Sequence, residues 1–480
     1  SQTAPSSLDA ALSAFGLSRG TALGGGWHLI LWSAARPVSQ ALAQLQVLPG
    51  IVETQPSHVY NVKRVPSDPL LGNQWALPAV SALNAWDLET GFSSRVTIAV
   101  VDTGVDSTHP DLTAKFSNTF SAAFDPNNGA YSPNNPSTPA CNHATRVAGV
   151  AGAYANNHFE VAGMSWGAQL VSLKVFADAD CSIDCGDKGA GQCLTNDPAI
   201  IAAINYSTGV VNTAAYGRIV VNMSLGGVEA CGPALKAAIT NAVAVGVVLV
   251  TAAGNDGGAV NTPGNCSGVI PVGATDSSGQ IAAFSSRGAE LANNGLVAPG
   301  VSVLTTDLSG KTATATGTSF ASPMVAGAAA LLLSAKPTLT PTQVKTDLRA
   351  GAEPLGGPLN NQGAGLLNAY RSLYLAINGS LPASTPASPS LSADLPQTYA
   401  FPNPFRLSES SRALFFVPPA IQTTAMLIRV YTLDGRLVRE LGAPVWDGKN
   451  NDGNRVASGT YVFHVSNGSQ SSRGRVSVLR

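Results

Sequence analysis

Charge is scarce in this sequence and balanced in sign. Of its 480 residues 11% are charged, 27 basic against 28 acidic, for a formal net charge of -1. A nucleic-acid partner or an anionic lipid surface would call for a basic face, and nothing here supplies one. Long apolar runs are missing as well. The longest, around Ala242 to Ala253, is cut by Gly246 and Thr251, falls short of a membrane span, and reads as a buried strand. The chain opens Ser-Gln-Thr, with neither a methionine nor an apolar leader, which fits a secretory signal already removed. Paired Cys-x-x-Cys spacing is absent, although six cysteines are present: Cys141, Cys181, Cys185, Cys193, Cys231 and Cys266. A zinc site built from Cys181, Cys185 and Cys193 with His143 or His158 is therefore outranked by disulfides formed in an oxidising compartment.

What is present is a large apolar fraction, 45%, enough for at least one large core and two or three domains. Residues 1 to 64 hold a helix-like stretch (Ser7 to Phe15), a strand pattern "WHLILW", a helix pattern "PVSQALAQLQ" and a strand pattern "IVETQPSHVY". From 65 to 378, β-rich runs such as "VTIAVVDTG", "LVSLKVF", "RIVVNMSLGG" and "VVLVTAAGN" alternate with Ala-rich helical runs. That alternation predicts an α/β domain with a doubly wound parallel sheet. Residues 379 to 397, rich in Ser, Pro and Ala, read as a linker. Residues 398 to 480 alternate short strands with "LDG", "WDGKNNDGN" and "SNGS" turns, predicting a small antiparallel β-sandwich.

Three residues that are unremarkable singly gain meaning together. Asp102 follows the buried run "VTIAVV", where an acid is usually a turn former or cap. His143 stands at the start of a helix-like run, and Ser319 opens another, with Gly317 before it and Pro323 after it at a position expected to lack an intrahelical partner. A serine hydroxyl becomes a nucleophile when an imidazole takes its proton, and the imidazole needs a carboxylate to fix its tautomer. Asn255, after "VVLVTAAG", offers an amide that with the Ser319 N–H could hold an oxyanion.

The motifs "VVDTGVDSTHPDL", "HATRVAGVAGA", "AAGN" and "GTSFASPMVAG", in that order, resemble those of the subtilases, the subtilisin-like serine endopeptidases. The resemblance implies catalytic roles for Asp102, His143 and Ser319, an oxyanion role for Asn255, substrate-backbone pairing along Ser224, Leu225 and Gly226, and a specificity pocket at Ala252, Ala253 and Gly254. The family's His-Gly-Thr is His143-Ala144-Thr145 here, a methyl that adds or removes no proton donor. The first 64 residues resemble the inhibitory pro-segment of secreted subtilases, and the last 83 the FlgD-like and type IX sorting domains. A structural Ca2+ ion is implied at Asp68, Asp111 and Asn157, with oxygen ligands suited to a hard cation. The Asp447 to Asn454 turn is a weaker calcium candidate than a solvated turn. Cys231 and Cys266 are expected to pair, because the sheet brings the segments after "SLGG" and after the oxyanion loop together; the other four would tie the Asp/Gly-rich loop to itself and to Cys141.

The expectation is thus a secreted or cell-surface bacterial protease acting on polypeptides, held as a zymogen by its own pro-segment and engaging secretion or surface machinery through its C-terminal domain. The contrasting reading is a catalytically silent relative that binds or attaches.

Overall fold

All seven residues of the strand Val96–Asp102 are buried, and the main sheet is built outward from it. The computed structural model of the chain describes residues 7–33, 37–55, 64–133, 139–182, 184–185, 193–386, 399–401, 405–407, 412–417, 426–468 and 471–479. Two compact units result, Ser1–Val62 and Lys63–Arg480.

In the second unit an eight-stranded sheet contains β1 (Val96–Asp102), β2 (Ala122–Phe124), β3 (Tyr131–Ser132), β4 (Gln169–Lys174), β5 (Arg218–Met223), β6 (Val248–Ala252), β7 (Ile270–Thr275) and β8 (Leu296–Pro299). Their order is β8-β7-β6-β5-β1-β4-β2-β3, parallel throughout except for the β2–β3 pair. The period of two sorts each central strand onto two cores. Ile98 and Val100 face one core, with Val220, Val250 and the helices α1 (His143–Gly152) and α4 (Thr318–Ala335). Ala99 and Val101 face the other, with Val221, Leu249 and the helices α2 (Asp197–Thr208) and α3 (Pro233–Ala244). Strands after β1 are laid down first on one side and then on the other, so β1 and β5 flank a topological switch point, where clefts open beyond the strand carboxyl ends.

The 18 residues of α4 match a membrane span in length and hydropathy, but 94% of that window is buried inside the fold. It is the core helix of this unit. The run Ala242 to Ala253 is not one strand: α3 ends at Ala244, Gly246 turns the chain at φ +102°, and the strand starts at Val248. A buried helix end and a buried strand carry the same apolar residues, so hydropathy cannot part them. "SLGG" follows β5 without joining a strand; its last residue, Gly227, pairs with Thr262.

The first unit has helices Ser7–Ala14 and Val38–Gln46 and an antiparallel pair, Leu17–Gly24 with Trp27–Trp32, around Leu12, Leu17, Ala41, Leu45 and Leu48. The strand Leu17–Gly24 was hidden by its glycines and lack of alternation. The expected strand at "IVETQPSHVY" is corrected over Ile51–Gln55, which has no regular structure, and the remainder lies outside the described residues.

Disulfides join Cys231 to Cys266, Cys141 to Cys185 and Cys181 to Cys193, with Cα separations of 5.2, 5.8 and 4.5 Å. Both expected patterns are met, and no cysteine among the described residues is left for zinc. Residues 379–386 carry no helix or strand, and the rest of the expected linker, 387–397, lies outside the described residues. Beyond it, a three-stranded and a five-stranded sheet enclose a separate core of Phe405, Phe415, Trp446 and Phe463. Their pairs are antiparallel except Phe405–Arg406 with Val478–Leu479. In the turn Asp447 to Asn454, Asp447 accepts from the Lys449 N–H and Asn450 from those of Asp452 and Asn454, so these side chains hold the turn itself.

Candidate active site

Strand β1 delivers Asp102 to the cleft, 1% exposed, and the first residue of α1 delivers His143 beside it. The His143 Nδ1 lies 2.9 and 3.0 Å from the two Asp102 oxygens. Asp102 Oδ1 also accepts from the Thr103 N–H at 2.6 Å, and Thr103 Oγ1 accepts from the Ala144 N–H at 3.2 Å, so the strand end and helix start are stitched together. Ala144 is fully buried, its methyl in the core rather than in the cleft. The ring of Phe320 lies 5.6 Å from the imidazole, tilted by 56°.

Ser319 is the second residue of α4. Pro323 lies a turn further in than its sequence position suggested, with a definite consequence: having no N–H, it leaves the Ser319 carbonyl without its i+4 donor. The Ser224 hydroxyl fills that place at 2.7 Å, itself receiving a hydrogen bond from Asn222 Nδ2 at 2.9 Å. Ser319 Oγ in turn donates to the Ser224 carbonyl at 3.2 Å. Asn222 Oδ1 also accepts from Ser322 Oγ at 2.7 Å, tying β5 to α4 under Ser319.

Asn255 follows β6. Its Oδ1 accepts from both the N–H and the hydroxyl of Thr318, each at 2.9 Å, which turns Nδ2 the other way. Gly317, at φ +150°, borders that amide: a Cβ there would sit 3.4 Å from Asn255 Nδ2 and 3.7 Å from the Ser319 nitrogen. The two donors therefore flank one small space, as an oxyanion would require.

Asp102, His143, Ser319, Asn255, Ser224, Leu225, Gly226, Ala252 and Gly254 all line one cleft of about 750 Å³. Ala253 does not; it is buried against Val260 and Leu291, and its carbonyl accepts from the Asn261 N–H at 2.8 Å.

Asp68, Asp111 and Asn157 converge elsewhere. Asp111 is fully buried and accepts from Asn157 Nδ2 at 2.8 Å and from the Val161 N–H at 3.0 Å. Asp68, 4% exposed, accepts from the Asn156 N–H at 2.6 Å. Burial pushes the Asp68 and Glu160 carboxyls up to about 7. It also raises Asp111 well above the usual range, with the charges of Asp68 and Glu160 adding to the shift. The buried Asp68 and Asp111 with the half-buried Glu160, whose charges act on Asp111, make a carboxylate cluster that fits a hard divalent cation. Asn156, His158 and Glu160 all have positive φ, and the His158 side chain is exposed. Glu160 escaped sequence reasoning because no motif marks it. Ser224's hydroxyl, Thr318 and Asn222 escaped too, although a proline four residues after Ser319 was a signal.

The chain matches the subtilase family over residues 93–365. It is 36% identical over 373 residues to an extracellular protease of Xanthomonas campestris pv. campestris, a match covering 70% of this chain and 62% of that protein. Subtilisin E of Bacillus subtilis is 35% identical over 341 residues, 70% of this chain and 79% of its own. Among solved structures, a protease of Pseudoalteromonas arctica superposes with a TM-score of 0.55 at 28% identity, covering 65% of this chain and all of that one. Fold, site geometry and relatives agree, and the chain belongs to the subtilase family of serine proteases.

Proposed function

We propose that the chain is a secreted, calcium-stabilised serine endopeptidase that removes its own N-terminal segment. The observation carrying this reading is the Asp102–His143 couple in the same cleft as Ser319 and Asn255. In the mechanism it supports, Asp102 holds the proton on Nδ1 of His143, leaving Nε2 to take the Ser319 hydroxyl proton as Oγ attacks the peptide carbonyl. The oxyanion is held by Asn255 Nδ2 and the Ser319 N–H, and His143 returns the proton to the leaving amine before water releases the acyl group. Substrate backbone would pair along Ser224 to Gly226, whereas Gly227 already pairs with Thr262. A serine-directed fluorophosphonate should label wild-type Ser319, and casein hydrolysis should vanish in Ser319→Ala; full activity in that variant overturns the reading.

Asp68, Asp111 and Asn157, with Glu160 beside them, would hold calcium and bind it to the folded state alone, adding stability by mass action. Secretion is supported by the name of the Xanthomonas relative. The C-terminal sheets, with their own core, suit a module for export or surface attachment.

A further inference from the structure

The first turn of α1 carries His143, and that turn lacks its usual side-chain cap. Asn142 stands at the N-cap, where a short polar side chain ordinarily accepts a hydrogen bond from its own helix, yet it makes no such bond. Its Nδ2 donates instead to Asp184 Oδ1 at 2.7 Å, and its Oδ1, buried, has no hydrogen-bond partner among the described residues. An unmet buried acceptor costs stability, so this orientation is imposed from outside the helix. Other groups receive the open helix end: Cys141 Sγ accepts from the His143 N–H at 3.3 Å, and Thr103 Oγ1 from the Ala144 N–H.

The constraint comes from Asp178, Asp184 and Cys185, in the segment after β4. Asp178 Oδ1 accepts from the Ala140 N–H at 3.0 Å and from Lys174 Nζ at 2.9 Å. The same buried ammonium donates to the Thr103 carbonyl, and Lys174 stands opposite Asp102 where β4 pairs with β1. The chain that leaves Asp102 and the chain that enters His143 are thus joined through one lysine. Asp184 Oδ1 also receives Arg146 at 3.5 Å, and that guanidinium is anchored by Asp307 at 3.2 Å. With its side chain 55% exposed, Asp184 would be held weakly by charge alone. Covalent bonds supply the rigidity. Cys185, its neighbour, is bonded to Cys141, and Cys181 to Cys193.

We propose that Asp184, fixed by these two disulfides, is a positioning residue for His143, and that full turnover requires both bonds closed. This rests on the endopeptidase reading above. The Sγ atoms of Cys181, Cys185 and Cys193 lie within 4.8 Å of one another, so the two bonds are coupled. A small dithiol gives two electrons and two protons to Cys181–Cys193, leaving two thiols and closing to its own disulfide. A thiolate at Cys181 or Cys193 then attacks Cys185 Sγ, forms a new disulfide with it and expels Cys141 as the thiolate. Asp184 and the entry to α1 are released together, and ~1 Å of misplacement at a catalytic base can cost ~100-fold in rate.

The test measures hydrolysis of a peptide anilide by the mature enzyme and its variants. Asp184→Ala should lower kcat about tenfold or more with KM within about twofold, because a displaced base harms the transition state and not binding. The low-field proton resonance of the His143 Nδ1–H should move in the same variant. Asp184→Asn keeps an acceptor for Asn142 and should recover part of the loss. Replacing Cys141 and Cys185 together by serine should lower kcat by a similar factor, and adding Asp184→Ala to that pair should cost little more, since both act through one constraint. Wild type treated with dithiothreitol should lose activity and regain it on re-oxidation, with alkylation and mass mapping placing an opened thiol at Cys141. Unchanged kcat and resonance in Asp184→Ala, losses that multiply in the combined variant, or full activity after the Cys141 bond has opened each overturn the positioning role. Absence of both hydrolysis and fluorophosphonate labelling in untreated wild type overturns the endopeptidase reading instead, and this inference with it.

Discussion

At the scale of single residues, Asn255 and Ser319 are each held by a partner several secondary-structure elements away. Thr318 fixes Asn255 through two hydrogen bonds to its Oδ1, so the amide is already oriented before substrate arrives. Asn255→Ala should lower kcat by ~100-fold or more with little change in KM, since that donor acts on the transition state. Steady-state kinetics on an anilide peptide checks this; equal losses in kcat and gains in KM would contradict it. Ser224 does work that its place in "SLGG" conceals. Its hydroxyl donates to the carbonyl that Pro323 leaves open, so Ser224→Ala removes the hydroxyl donor at the buried Ser319 carbonyl. Losing such a partner costs about 1–3 kcal/mol. The variant should therefore melt earlier and turn over more slowly, and Ser224→Thr, which retains a hydroxyl, should recover part of both.

At the scale of elements, α1 is pressed against the hairpin Val303–Asp307 and Lys311–Ala315. Thr305 and Thr306 donate their hydroxyls to the carbonyls of Arg146 and Thr145, each at 2.7 Å. Gly149 makes this approach feasible: a methyl there would collide with both threonine hydroxyls and come within 2.9 Å of the Thr306 nitrogen. Overpacking of this kind costs about 1–3 kcal/mol. Gly149→Ala should lower the melting temperature when measured in a Ser319→Ala background, where self-digestion cannot interfere. An unshifted transition would mean that the hairpin yields easily. Alanine is the better helix former, so a rise in stability would require the collision to be absent altogether.

At the scale of the whole molecule, the proposed calcium site would couple stability to pH through Asp68 and Glu160. With calcium chelated, Asp68 and Glu160 in the folded state hold their protons up to about 7, against ordinary values of 3.8 and 4.5. The folded state then binds protons that the unfolded chain has released, so stability is greatest at acidic pH and falls as pH rises from about 4 through 7. Calcium favours the ionised carboxylates and should remove this decline. Melting curves of the Ser319→Ala protein between pH 5 and pH 8 on the order of those limits, with chelator and with calcium, check the sign; curves that rise with pH under chelation would refute it. Maturation belongs to this scale as well. Wild type should lose the segment before Pro66 while Ser319→Ala stays full length, as intact mass will show; equal trimming of both would assign the cleavage to another protease.

Much was legible in the sequence because it is local. The period of two in "VTIAVV" sets which residues of β1 face each core, and runs such as "GTSFASPMVAG" carry helix, nucleophile and the glycine before it together. The Cys231–Cys266 pair could also be anticipated, since parallel strands place the segments that follow them side by side. Other features needed the folded chain. Hydropathy could not part α3 from β6, and nothing adjacent to Glu160 announces its approach to Asp111. The Ser224–Ser319 link spans 95 residues of sequence, and the Asp102–His143 couple spans 41. Sequence determined the elements and the reactive groups because backbone period and side-chain chemistry are properties of a few consecutive residues. Tertiary structure alone decided which carboxylates share a cavity and which hydroxyl meets a carbonyl left open by proline, because burial and like-charge proximity arise when distant segments exclude water together.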